Sequence, residues 1–164
     1  MSETYHFVIE TALRASAARV WDHASSMAGV NRELWPLVQM TYPPTMKRLT
    51  PETVPLRRRA FRSWLLLFGL LPIEYDDLTL IELEPGRGFL EVSRLFSMRE
   101  WRHRRTVLPT AEGCILRDEV DCTPRWPWSG PFLVPLFRFV FALRHRALRR
   151  LFSRPCSGPW RAGP

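Results

Sequence analysis

The stretch 100–109, EWRHRRTVLP, sets one histidine between a tryptophan and a run of arginines. Histidine is the side chain whose proton comes and goes near neutral pH, so its neighbours decide what it does. Read as a strand, the stretch alternates: Trp101, His103, Arg105 and Val107 share one face, with Arg102, Arg104 and Thr106 opposite. The next apolar stretch, 114–122, places Cys114, Leu116, Asp118, Val120 and Cys122 on one face, apolar except for Asp118. The segment TAEG (110–113) between them reads as a hairpin turn, which makes the two strands neighbours. A carboxylate on a buried face must find a partner, and depending on register either His103 or Arg105 lies beside Asp118. Glu91, one strand earlier, is placed to join them.

Three uses of His103 stand open at this point. The pair can simply fix strand register. It can anchor the polar end of a ligand in an otherwise apolar pocket. Or His103 can act as an acid–base catalyst oriented by Asp118 or Glu91. No serine or cysteine nucleophile is evidently placed beside it, which argues against triad chemistry. With no CxxC or HxxxH pair in the chain, neither a metal nor another cofactor is expected.

Those strands need a scaffold. YHFVIETAL (5–13) alternates as a first strand. RASAARVWDHASS (14–26) switches to helical period, with Ser16 as N-cap and Val20, Trp21 and Ala24 on one face. Gly29 and Asn31 are read as its end, and NRELW (31–35) as a second short helix. Strands follow at 36–43, 60–69, 75–85, 89–98, 100–109 and 114–124, with a proline-rich loop at 44–59. From Phe132 to Phe152 the pattern is helical again. Phe137, Val140, Phe141, Arg144, Leu148 and Leu151 form a stripe, and Arg138, His145, Arg146, Arg149 and Arg150 lie largely off it. Pro135 is tolerated there only within a first turn. An antiparallel sheet with helices on one side is the natural packing for this order. The expected fold is α+β: a curved antiparallel sheet of about seven strands around a long C-terminal helix, with two short helices after the first strand.

Composition narrows the function classes. The chain has 164 residues, 46% of them apolar, which suits one domain with a real core. Cys114 and Cys122 lie eight residues apart on one strand, roughly 26 Å at about 3.3 Å per residue, so they cannot bridge. With Cys156 the count is odd, which argues against a disulfide framework. The first residues show no basic start followed by an apolar stretch, and WLLLFGLLPI is too short to span a bilayer. A cytoplasmic protein is the expectation. The net charge of +8 resides in residues 125–164, which hold eight arginines and no acid. That region is either a solvated helix end or a surface for an anionic membrane using Arg146, Arg149, Arg150 and Arg154. Nucleic acid is not expected as a partner, because no binding motif accompanies the charge.

Several strings in order carry a resemblance: VWDHASSMAGVN (20–31), LFGLLP (67–72), FLEV (89–92), WRH (101–103), DEV (118–120) and RHRAL (144–148). Over about residues 4 to 152 the chain resembles the START-like (SRPBCC) superfamily. That is the helix-grip fold shared with birch-pollen allergen, polyketide cyclases and lipid-transfer domains. Within it the chain is similar to a bacterial subgroup of largely unassigned function. It departs at SMRE (97–100), where the subgroup often has glycine-proline. The resemblance implies a helix-grip domain at 1–152, with 153–164 as a flexible basic tail. It also implies an apolar cavity between sheet and helix for a small hydrophobic molecule such as a lipid, isoprenoid or polyketide-like compound. The expected lining is Trp35, Met40, Trp64, Phe68, Phe89, Trp101, Phe137 and Phe141, with Glu91, His103 and Asp118 as polar members. The alternatives are a polyketide cyclase- or dehydratase-like enzyme using His103, and a membrane-surface protein using the basic helix.

Overall fold

The computed structural model describes residues 3–153. The chain runs β1 (Tyr5–Leu13), α1 (Ala17–Ala24), α2 (Met27–Leu34), β2 (Val38–Met40), β3 (Phe61–Leu67), β4 (Leu71–Leu78), β5 (Leu80–Glu84), β6 (Gly88–Leu95), β7 (Met98–Thr110), β8 (Gly113–Pro124) and α3 (Gly130–Phe152). All paired strands are antiparallel, in the order β1-β8-β7-β6-β4-β3-β2, with β5 on β6 to one side. The sheet curls into a half-barrel, and α3 packs against β1, β8 and α2.

The helix starts follow the capping residues. Ser16 caps α1 by accepting from the Arg19 N–H. Ser26 caps α2 by accepting from the Gly29 N–H at 3.0 Å. Gly29 therefore lies inside α2 rather than ending α1. Its role is space, because a Cβ there would sit 2.0 Å from the His23 carbonyl. The strand expected at 75–85 is two strands, parted at Thr79, whose N–H turns to the Ser93 hydroxyl. Pro72 lies within β4. The helix at the end begins two residues earlier than expected, so Pro135 falls in its second turn, where it is exposed.

Three apolar clusters carry the interior. One joins Leu13, Val20, Val107, Leu116, Leu148 and Phe152. A second joins Phe7, Leu95, Met98, Trp101, Val120 and Phe141. The third, under β4–β6, joins Met27, Leu49, Phe61, Leu78, Leu80 and Phe89. Each such buried side chain stabilises the fold by roughly 1.5–3 kcal/mol. On α3, Phe141 and Leu148 lie two turns apart on one face, and between them sit Arg144 and His145, both buried. The face that grips the sheet is thus apolar at both ends and charged in the middle.

Gly88 opens β6 directly against β7. A Cβ at this position would meet the Arg105 carbonyl oxygen at 2.2 Å, and backbone cannot step aside as a side chain can. Gly88→Ala is expected to destabilise the protein by about 1–3 kcal/mol, the usual cost of overpacking. Urea unfolding measures it, and an unchanged midpoint would show that β6 and β7 are not held this closely.

Candidate functional site

Pairing of β7 with β8 places Arg105 opposite Asp118 and His103 opposite Val120. Both reach the same carboxylate. His103 Nε2 is 2.8 Å from Asp118 Oδ1, and Arg105 donates from Nε to Oδ1 and from Nη2 to Oδ2, each at 2.8 Å. The choice left open by the sequence resolves to both residues at once. From α3, His145 Nε2 adds a third contact at 2.9 Å to Asp118 Oδ2. His145 was placed largely off the buried stripe by period alone, yet it is 1% exposed, because the carboxylate draws that flank of the helix inward.

The guanidinium of Arg105 has a second partner. It donates at 3.0 Å from each terminal nitrogen to Glu33 on α2, and Arg144 of α3 donates to the same carboxylate at 2.9 Å. His23 Nε2 of α1 lies 3.3 Å from it. Two carboxylates and two guanidiniums thus balance in the interior, linking α1, α2, α3, β7 and β8. Burial alone would raise the Glu33 and Asp118 carboxyls. The Arg105 charge overcomes that for both, Arg144 adds to it at Glu33, and both groups end below their ordinary values.

Beyond His103 the polar chain continues. Its Nδ1 is 3.5 Å from Glu91 Oε2. Burial pushes the imidazole down, but hydrogen bonds to Asp118 and Glu91 outweigh it and raise the group overall. A ring with a carboxylate on each nitrogen is a donor at both. Next to Glu91 stands Asp76 of β4. Burial and then the Glu91 charge push its carboxyl well up, so Asp76 keeps a proton where an ordinary aspartate has lost it.

That last shift has a sign. A carboxyl whose folded pKa is raised binds its proton more tightly in the native state, so it costs stability as pH rises from about 4. Asp76→Asn removes this cost. At pH 8 the variant is expected to be at least as stable as the parent, with the difference closing towards pH 4. Denaturant unfolding at both pH values checks it; a loss beyond roughly 1 kcal/mol at pH 8 would contradict the buried-acid reading.

A cavity of about 100 Å³ lies between α3 and the sheet. Buried Met27, Leu34, Leu49, Leu78, Leu80, Phe89, Leu95, Trp101 and Phe141 line it, with half-buried Val30, Met40, Leu65, Phe137 and Val140. Asp76, Glu91, His103 and Arg144 supply its polar wall. His103 is edge-on to Phe89 and Phe141, at 5.4 and 5.1 Å between ring centres. At roughly 30 Å³ per water this volume equals about three waters, room for a small molecule or one end of a larger one.

Of the residues expected to line a pocket, Met40, Phe89, Glu91, Trp101, His103, Phe137 and Phe141 do so. Asp118 stands behind His103 rather than in the wall. Trp35, Trp64 and Phe68 are corrections: all three are exposed and outside the cavity. Trp64 alternates onto the outer face with Arg62 and packs on Tyr75, Phe68 turns the β3–β4 hairpin at φ 51°, and Trp35 caps the end of α2. Sequence reasoning passed over Glu33, His23 and Asp76. Asp76 carried a legible signal, since it shares a strand face with Leu78. Of the expected anion-contact residues, Arg146 and Arg150 are exposed, Arg149 donates to the Thr11 hydroxyl at 3.2 Å, and Arg154 lies outside the described residues. Among the described residues no helix is long and apolar enough to cross a membrane.

A family model described as a domain of unknown function (DUF8410) matches residues 11–152. No curated protein matches the chain. Among solved structures it is similar to the Zhui aromatase/cyclase from Streptomyces sp. R1128, at 12% identity and TM-score 0.67, covering 95% of this chain and 99% of that one. A START superfamily protein from Mycobacterium smegmatis gives 12% and 0.60, covering 92% and 97%. Norcoclaurine synthase from Thalictrum flavum, in complex with dopamine and hydroxybenzaldehyde, gives 14% and 0.60, covering 92% and 87%. At these identities the likeness shows the fold, which is START-like.

Proposed function

The chain belongs to the family of the domain of unknown function DUF8410, and for this member we propose that it binds a small hydrophobic molecule between its sheet and α3. The observation that carries the reading is the cavity of about 100 Å³, apolar over most of its lining, with polar groups contributed by Asp76, Glu91 and His103 from the sheet and by Arg144 from α3. A relative in fold that was solved with small molecules bound, norcoclaurine synthase in complex with dopamine and hydroxybenzaldehyde, supports the reading by analogy.

The polar wall favours anchoring over catalysis. Both nitrogens of His103 face carboxylates, so neither is left to take a proton from a substrate. The ligand's apolar part would be held by area removed from water, at roughly 25 cal/mol per Å², and its polar end by Asp76 or Glu91. Native mass spectrometry of freshly purified protein tests this. An apolar compound is expected to travel with the protein at one per chain, or to be taken up from an added mixture of lipid extracts. A bare mass in both experiments would remove the proposal.

A further inference from the structure

The polar wall of the cavity also specifies which end group fits. Asp76 Oδ1 and Glu91 Oε1 accept from no other side chain or backbone group among the described residues, although the two residues are only 6% and 5% exposed, so the proton that Asp76 keeps is the one donor between them. One shared proton leaves most of the lone pairs of two buried acids unused, and such a pair complements a group with several donors. The other polar groups of the wall are engaged: His103 at both nitrogens, and Arg144 through Nε and Nη2 on Glu33. Among the lining residues, the fully buried polar atoms without a partner on the protein are both acid oxygens. Resting on the cavity reading above, we infer that the ligand is a primary amine with a short apolar body, its ammonium seated between Asp76 and Glu91.

An ammonium has three donors and no acceptor, so it can serve both carboxylates at once. Phe89, Trp101 and Phe141 in the lining add aromatic surface, which attracts a cation and repels an anion. A carboxylate or phosphate seated between Asp76 and Glu91 would instead meet two acids, while Arg144 is already paired with Glu33. Asp76 faces Glu91 and Ser93 of β6 and feels the charge of its neighbour Asp77, while His103 of β7 and Arg144 of α3 complete the wall. Seating an ammonium expels the Asp76 proton to solvent: the protonated acid and the cation become a carboxylate–ammonium pair plus one free proton. Amine binding therefore strengthens as pH rises, and alcohol binding does not change.

Isothermal titration calorimetry with n-hexylamine, 1-hexanol and hexanoate, at pH 8 in phosphate and in Tris, tests the assignment. Hexylamine is expected to bind about tenfold or more tightly than hexanol, as a charge-assisted bond exceeds a neutral one. Its heat should differ between the buffers by one proton released per amine. Hexanoate should not bind. In Asp76→Asn the proton release should vanish and the amine's advantage should fall by about fivefold or more. If the first variant does not fold, Glu91→Gln should likewise lower the amine's advantage by about fivefold or more, with the Asp76 proton still released. Hexanol or hexanoate binding as tightly as hexylamine would overturn the amine assignment and leave the cavity reading intact. If none of the three binds, the cavity reading falls and the amine assignment with it.

Discussion

Arg105→Met is expected to destabilise the protein by about 3–5 kcal/mol, the cost of leaving buried charges without their partner. Arg105 is fully buried and holds both Asp118 and Glu33 by paired hydrogen bonds. Methionine fills similar space but leaves Asp118 with two imidazoles and Glu33 with Arg144 and His23. Against a typical total of about 5–15 kcal/mol, such a loss is about a fifth or more of the stability. The neighbouring Arg104 is the control. It lies on the opposite face of β7 and pairs at 3.0 Å with exposed Glu82, so Arg104→Met should cost no more than about 1 kcal/mol. Urea unfolding of the two variants side by side decides. Equal costs would mean that the interior network contributes nothing special.

The same network gives the stability its pH limits. Glu33 and Asp118 are held below their ordinary values, so their contribution is present above about pH 4 and is lost as pH falls through their folded values. His103 is raised, so its contribution is complete below about pH 6.5 and fades as pH rises through its folded value. Arg105→Met should flatten the acid limb of the parent's profile, because the charge that depresses both carboxyls is gone.

Val140→Trp is expected to abolish binding of an apolar probe, with a loss of about a hundredfold or more. Val140 lines the cavity from α3 and is half-buried, so an indole there can turn into the hollow without dismantling the core. Overpacking should cost no more than about 1–3 kcal/mol of stability. Phe139→Trp supplies the comparison, since Phe139 faces solvent one residue away. Calorimetry with 1-hexanol should find the Phe139 variant like the parent and the Val140 variant silent. Binding retained in both would place the probe elsewhere.

Much of this architecture can be read from alternation. β7 and β8 alternate without interruption, and their short turn fixes which residues face each other, so the meeting of His103, Arg105 and Asp118 follows from local pattern. The long helix is equally legible from its stripe. What could not be read is how separate elements dock. Glu33 lies on a short helix whose start was misjudged, because the Ser26 cap was missed and Gly29 was taken as a break. Arg144 stood in an apolar stripe without an identified partner, since nothing local says that α2 crosses over it. The exposed aromatics mislead for a related reason. Trp35, Trp64 and Phe68 are apolar enough for a lining, and only the curl of the sheet decides that they lie outside it.

A crystal structure of the protein with 1-hexanol tests the cavity most directly. The alkyl chain is expected among Leu78, Leu80, Phe89 and Phe141, with the hydroxyl in hydrogen-bond reach of Asp76 or Glu91. Hexanol found only on the exposed β3–β4 turn around Phe68 and Leu70, with the space beneath α3 closed by side chains, would contradict it.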